Sequence, residues 1–146
     1  MKPKLRQVHY ASLNARQKEN YNYQKVSAIL ADYGYVTMRL SDDWDGADFI
    51  AKHIREKEIL KVQLKGRLDF RKKYLGKEIY VAFHAKKTDI WYLYPHDELL
   101  NELGHAGFVV NTTAWSNGGY SFANLSPELQ HLLEPYRLGT TPLTKR

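Results

Sequence analysis

Apolar residues recur at helical spacing through Tyr23, Val26, Ile29, Leu30 and Tyr33, the one-sided stripe of a packed helix. The stripe predicts a helix over residues 13–33, capped by Ser12 or Asn14 and stopped by Gly34. Past Gly34 the period falls to two. Val36, Met38 and Leu40 mark a short strand over 35–40, and the polar cluster Ser41-Asp42-Asp43-Trp44-Asp45-Gly46 reads as a turn. A second strand is expected over 47–52. After a turn at Glu56-Lys57 a third follows over 59–65, where Lys61, Gln63 and Lys65 alternate with Val62 and Leu64.

Further along, residues 78–84 and 89–94 flank a polar link as a hairpin. Pro95 breaks the second of these strands, and residues 96–103 begin a short helix that Gly104 can end. Residues 108–115 and 120–122 flank Ser116-Asn117-Gly118-Gly119, a strong turn signal between two expected strands. A last helix is expected over 127–133, capped by Ser126. One helix, then mostly strands, then small helices describes an α/β chain. A single domain is expected over 1–138, with a mobile tail over 139–146.

Composition narrows the class. The chain has 146 residues, 43% apolar and 26% charged, enough for one hydrophobic core and too apolar for a disordered chain. No apolar run approaches the roughly 18 residues of a membrane span. The basic start MKPKLRQVHY lacks the apolar stretch of a secretion signal. Cysteine is absent, which removes disulfides and thiolate metal sites. A cytoplasmic protein without a membrane partner is the expectation.

The net charge is +6, unevenly placed. Residues 52–87 hold twelve Lys or Arg against four Asp or Glu, a local +8, and the remainder carries ten against twelve. Such concentration suits a phosphate backbone, where each neutralised phosphate releases counterions; a solvated lysine-rich surface produces the same count. Arg67, Arg71, Lys72, Lys73, Lys86 and Lys87 are the candidates for phosphate contacts. Trp115, beside Asn117-Gly118-Gly119, either stacks on a base from a loop tip or closes the core from one end.

Candidate chemistry gathers on the second and third strands. Gln63 and Lys65 share one face of their strand. If the strand through Asp48 pairs with it, an acid, an amide and an amine converge. Unpaired polar groups are costly to bury; a hydrated Mg²⁺ with a phosphate would satisfy all three. Asp42, Asp43 and Asp45 are read as turn residues, although three acids so close are also metal-capable. The six histidines show no zinc-ligand spacing. No nucleophile elbow surrounds a serine, and no Gly-rich phosphate loop is present.

Helix, strand, GADFIA, turn and LKVQLKGR together resemble the PD-(D/E)XK nuclease superfamily, which includes restriction enzymes, archaeal-type Holliday junction resolvases and some homing endonucleases. The resemblance spans residues 14–67. Asp48 matches the superfamily's Asp, Lys65 its Lys, and Gln63 the position of its second acid; Glu19, read as lying on the helix's inner face, matches the helical Glu. It implies a restriction-endonuclease-like α/β core, a central mixed β-sheet flanked by helices. It also implies a metal-dependent DNA endonuclease that hydrolyses phosphodiester bonds with Mg²⁺ or Mn²⁺. In that scheme Asp48 bridges the metal, and Gln63 and Glu19 assist it. Lys65 positions or activates the attacking water. DNA is the implied partner, with RNA left open, and a homodimer would cut both strands.

Three departures stand beside the resemblance. Gln63 replaces a carboxylate, although an amide oxygen can still bind Mg²⁺. Ala47 stands where the superfamily has proline. Residues 68–77 leave little space for a helical crossover, which suggests an antiparallel elaboration or a core closed differently. Two other readings stay open: a catalytically inactive nucleic-acid-binding protein, and a subunit of a larger assembly built on the same fold.

Overall fold

The computed structural model describes residues 1–139; the tail expected to be mobile lies, beyond Gly139, outside the described residues. Helix α1 spans Ala15–Asp32. Asn14 caps it with a capping box: its side chain accepts from Gln17 N, and the Gln17 side chain accepts from Asn14 N, each at 2.9 Å. The reciprocal bonds satisfy donors that a helix start leaves orphaned. Gly34 ends the helix in the left-handed region, at φ +85°.

Among the described residues, seven strands follow or interleave the helices. These are β1 Tyr35–Trp44, β2 Ala47–His53, β3 Ile59–Lys65, β4 Asp69–Arg71, β5 Ile79–Ala85, β6 Ile90–Pro95 and β7 Gly119–Ser121. A five-stranded sheet runs in the order β1-β2-β3-β5-β6, and β4 pairs with β7 in a second, two-stranded sheet. Only β3 and β5 are parallel. The fold is therefore α/β, with a central mixed sheet flanked by helices, as expected. Of the two outcomes left open after β3, an antiparallel elaboration or a core closed differently, the main sheet takes the second: β5 returns parallel to β3, and antiparallel pairing in this segment is confined to β4 with β7. Residues 66–78 complete a parallel crossover near the minimum of about a dozen residues, using β4 and one 3-10 turn at Lys72–Tyr74 in place of a helix.

The sheet separates two cores. On one face Val26 and Leu30 of α1 pack against Phe49, Ala51, Leu60 and Val62. Beneath β5 and β6 the other face is covered by α2 (His96–His105), α3 (Thr113–Ser116), α4 (Pro127–Leu133) and the β4–β7 pair. Phe83, Tyr94, Leu99, Leu103, Phe70 and Leu133 fill that layer. Each large apolar side chain removed from water contributes roughly 1.5–3 kcal/mol before entropy is counted. The same face over β1 and β2 is left open, where Val36 and Met38 are exposed.

Three sequence-based expectations are corrected. The cluster Ser41–Gly46 is not a turn throughout. Strand β1 continues to Trp44, with an irregular register between Arg39 and Trp44, and only Asp45 and Gly46 reverse the chain. Both have positive φ, 53° and 89°, as a two-residue hairpin turn requires. Gly46 is also fixed by packing, because a Cβ there would stand 2.8 Å from the Tyr74 ring. Second, residues 108–115 form no strand. Phe108 N closes α2 on Leu103 O, Val109 adopts φ +69°, and Thr112 caps α3 through its hydroxyl. Third, Gly118 and Gly119 do not join a hairpin; they lead α3 into β7. Helix α4, capped by Ser126, forms as expected.

Tyr94 locks β4 to the main sheet. Its buried hydroxyl donates to Asp69 O at 2.6 Å and accepts from Asp69 N at 3.1 Å. Tyr94→Phe would leave both backbone groups unpaired in the core, so it should cost about 1–3 kcal/mol. Urea midpoints would measure the loss, and faster exchange of the Asp69 amide should accompany it. An unshifted midpoint would show that β4 is held by packing alone.

Candidate active site

Phe49 stands opposite Val62 in the β2–β3 ladder, so Asp48 falls level with Gln63. Cross-strand neighbours share a face, and side chains alternate along each strand. Asp48, Gln63 and Lys65 therefore lie together on the face away from α1. A further bond fixes the carboxylate: Leu64 N donates to Asp48 Oδ2 at 2.8 Å. The Gln63 amide lies beside the backbone, with Nε2 3.5 Å from Leu64 O. All three side chains are half-buried. The structure brings this part of the predicted constellation together.

Sequence reasoning overlooked a buried carboxylate close to Lys65. Asp69, only 3% exposed, lies with Oδ2 at 3.9 Å from Lys65 Nζ. Arg71 grips the same carboxylate with both ends of its fork, Nε to Oδ2 and Nη2 to Oδ1, each at 2.9 Å. Burial pushes the Lys65 ammonium below its ordinary value. Asp69 opposes that shift, Arg71 and Lys73 reinforce it, and Asp48 opposes it again. Lys65 also sits 5.5 Å from the centre of the Tyr74 ring, as Lys73 does at 5.4 Å. The signal available in sequence was the spacing Lys65, Asp69, Arg71. Short strand β4, which gives it meaning, is set by a distant partner.

Glu19 does not join the cluster. It is exposed rather than on the inner face of α1, and Arg39 Nη2 donates to its Oε1 at 2.9 Å. Arg39 pairs in register with Phe49 and so lies on the α1 side of the sheet. Among the described residues, no group of three His, Asp or Glu side chains is placed to hold a metal.

The predicted phosphate contacts divide. Arg71 is committed to Asp69. Lys72 lies over the Trp115 ring at 5.5 Å, and Trp115 is buried, closing the core rather than tipping a loop. Lys86 lies 4.7 Å over the Tyr10 ring, and Lys87 Nζ donates to Asn124 Oδ1 at 3.0 Å. Arg67, Lys86 and Lys87 line a groove of about 330 Å³ at the ends of β3 and β5. A second groove, of about 460 Å³, lies at the beginnings of those strands and collects Glu58, Glu78, Asp97 and Glu98.

No family model matches the chain, and no curated protein does. Among solved structures, a bacterial homing endonuclease is similar at 12% identity, over 77% of this chain and 78% of that one, with a TM-score of 0.47. So distant a likeness does not decide function, which rests on the chain's own residues. No helix among the described residues is long and apolar enough to cross a membrane.

Lys65 makes stability depend on pH in a stated direction. At low pH it is protonated in both states and adds no slope. Between its lowered folded value and the ordinary 10.5, the unfolded chain binds more protons. Its contribution to stability therefore rises with pH across that window. Urea midpoints of wild type and Lys65→Met, compared at successive alkaline pH values, should move apart in favour of the wild type. A constant difference would mean that Lys65 titrates normally.

Proposed function

We propose that the chain is a metal-dependent DNA endonuclease of restriction-endonuclease-like fold, hydrolysing phosphodiester bonds with Mg²⁺ or Mn²⁺. The observation that carries this reading is the Asp48–Gln63–Lys65 cluster, level across two strands and adjoining a cationic groove. Mg²⁺ is commonly held by one or two carboxylates, with water and substrate phosphate completing its shell. Asp48 and the Gln63 amide oxygen fit that pattern, and their one unit of negative charge leaves the phosphate a large share of the coordination. When bound, the ion would stabilise charge on the phosphate and make its water more acidic. Lys65, with its ammonium already weakened by burial, would orient the attacking water or balance charge growing on the phosphate oxygens. Arg67, Lys86 and Lys87 would carry the flanking backbone. A homodimer would present two such clusters, one for each strand; exposed Val36, Met38 and Ile59 offer apolar surface for it.

One observation favours a second reading. With Gln63 in an acid's usual place, Glu19 engaged by Arg39, and Asp69 engaged by Arg71 and Lys65, a single carboxylate among the described residues, Asp48, remains to serve the cluster as a metal ligand. That suits a protein which binds nucleic acid without cutting it.

Nicking of supercoiled DNA separates the two. Wild type should nick with Mg²⁺ or Mn²⁺, and Asp48→Asn and Lys65→Ala should each lower the rate by at least about 100-fold, the typical contribution of a positioned catalytic group. Asp48→Asn is the better substitution because its amide oxygen can still accept from Leu64 N. Gln63→Glu should lower the Mg²⁺ concentration needed for half-maximal nicking. Salt-sensitive binding of DNA or RNA, with no cleavage by wild type under either metal, would replace the enzyme with the binding protein.

A further inference from the structure

The groove beside Lys65 has a chemistry that the cluster does not use. Its floor is apolar, with Leu68 and Phe83 buried and Phe122 and Leu125 half-buried. Its rim carries Arg67, Lys86, Lys87, Asn124 and Gln130. None of the described residues lining it is acidic. At about 330 Å³ it falls at the small end of the roughly 300–1,000 Å³ range of clefts that enclose small molecules.

Two contacts hold the rim in place. Lys87 Nζ on Asn124 Oδ1 ties the β5–β6 turn to the loop before α4. Gln130 Nε2 donates to Leu125 O at 3.1 Å, which leaves its amide oxygen as an acceptor. The groove also adjoins the cluster by construction. Phe83 is the register partner of Lys65 across the parallel β3–β5 pair, and such partners share a face.

An apolar floor suits the face of a ring. Side-chain amides can read the edge of an unstacked base, and cations take its phosphate. A base paired and stacked within a duplex has its faces and its Watson–Crick edge occupied, and extruding it costs free energy that an unpaired base does not require. We propose that this groove binds one unpaired nucleotide. Its base lies against Phe122 and Leu125, with its edge toward Asn124 and Gln130 and its phosphate toward Arg67 and Lys86. The preferred substrate is then a nucleic acid with an unpaired nucleotide next to the phosphate at Lys65. This deepens the nuclease reading and rests on it for that neighbouring phosphate, whereas the groove can be tested without cleavage.

The test is calorimetric titration of the full chain, free of divalent cations, with thymidine monophosphate and separately with inorganic phosphate. The nucleotide should bind at least about tenfold more tightly, a difference of roughly 1.4 kcal/mol. Asn124→Ala and Gln130→Ala, both at exposed positions, should bring it down towards phosphate. Asp48→Asn should leave nucleotide affinity unchanged. A second arm compares duplexes with and without one unpaired thymidine. The bulged duplex should bind more tightly, and the same two variants should remove its advantage. Equal affinity for nucleotide and phosphate would reduce the groove to an anion site and overturn the proposal, as would variants that bind like wild type. Failure of the nicking assay would bear on catalysis alone, because neither titration depends on cutting.

Discussion

The buried carboxylate of Asp69 is the constraint around which the candidate site is arranged. A charge at 3% exposure is tolerable only when paired and hydrogen-bonded. Its partners are Arg71, two residues on, and Lys65, four residues back. Satisfying that charge folds β4 over the end of β3 and anchors the Lys65 ammonium on the face it shares with Asp48. The backbone on either side is secured from elsewhere: Tyr94 takes both main-chain groups of Asp69, and His96 Nε2 accepts from Arg71 N at 3.0 Å. His96 is buried, and its Nδ1 lies 2.7 Å from Asp97 Oδ1. Because one ring nitrogen accepts from an amide, the other carries the proton and meets the Asp97 carboxylate.

This arrangement explains how β3 and β5 can be parallel with so little chain between them. A helix would ordinarily cross over and bring its own internal hydrogen bonds. Here β4 borrows its bonds from β7, in a register that pairs Phe70 with Tyr120. Gly119 lets the strands approach, since a Cβ there would meet Phe70 O at 2.7 Å. The crossover is short because its hydrogen bonds come from a segment some fifty residues downstream.

That division also separates what the sequence could reveal from what it could not. Helix α1 was legible because Tyr23, Val26 and Leu30 repeat at its own period and Asn14 caps it. The cluster was legible because alternation fixes Gln63 and Lys65 to one face, and a short antiparallel connection brings Asp48 level with them. These are local constraints. Strand β4 has three residues and no periodicity, and nothing near Asp69 announces Tyr94 or β7. Residues 108–115 misled because Val109 and Val110 resemble strand, whereas Thr112 acts as a cap and Val109 takes a left-handed turn. The place of Glu19 depended on which side of the sheet Arg39 faced. That came from a register with Phe49, not from the helix itself.

The two grooves at opposite ends of β3 and β5 have a joint effect. The groove at the ends of these strands carries Arg67, Lys86 and Lys87 and no acid, whereas the groove at their beginnings gathers Glu58, Glu78, Asp97 and Glu98 beside Lys61, so the local field differs between the two. A polyanion nearing the acid-free groove would be drawn towards it before any contact forms. Dissolved ions damp that field over about 8–10 Å at moderate ionic strength. Orientation during approach is therefore strongest in dilute salt, where a larger share of collisions arrives the right way round.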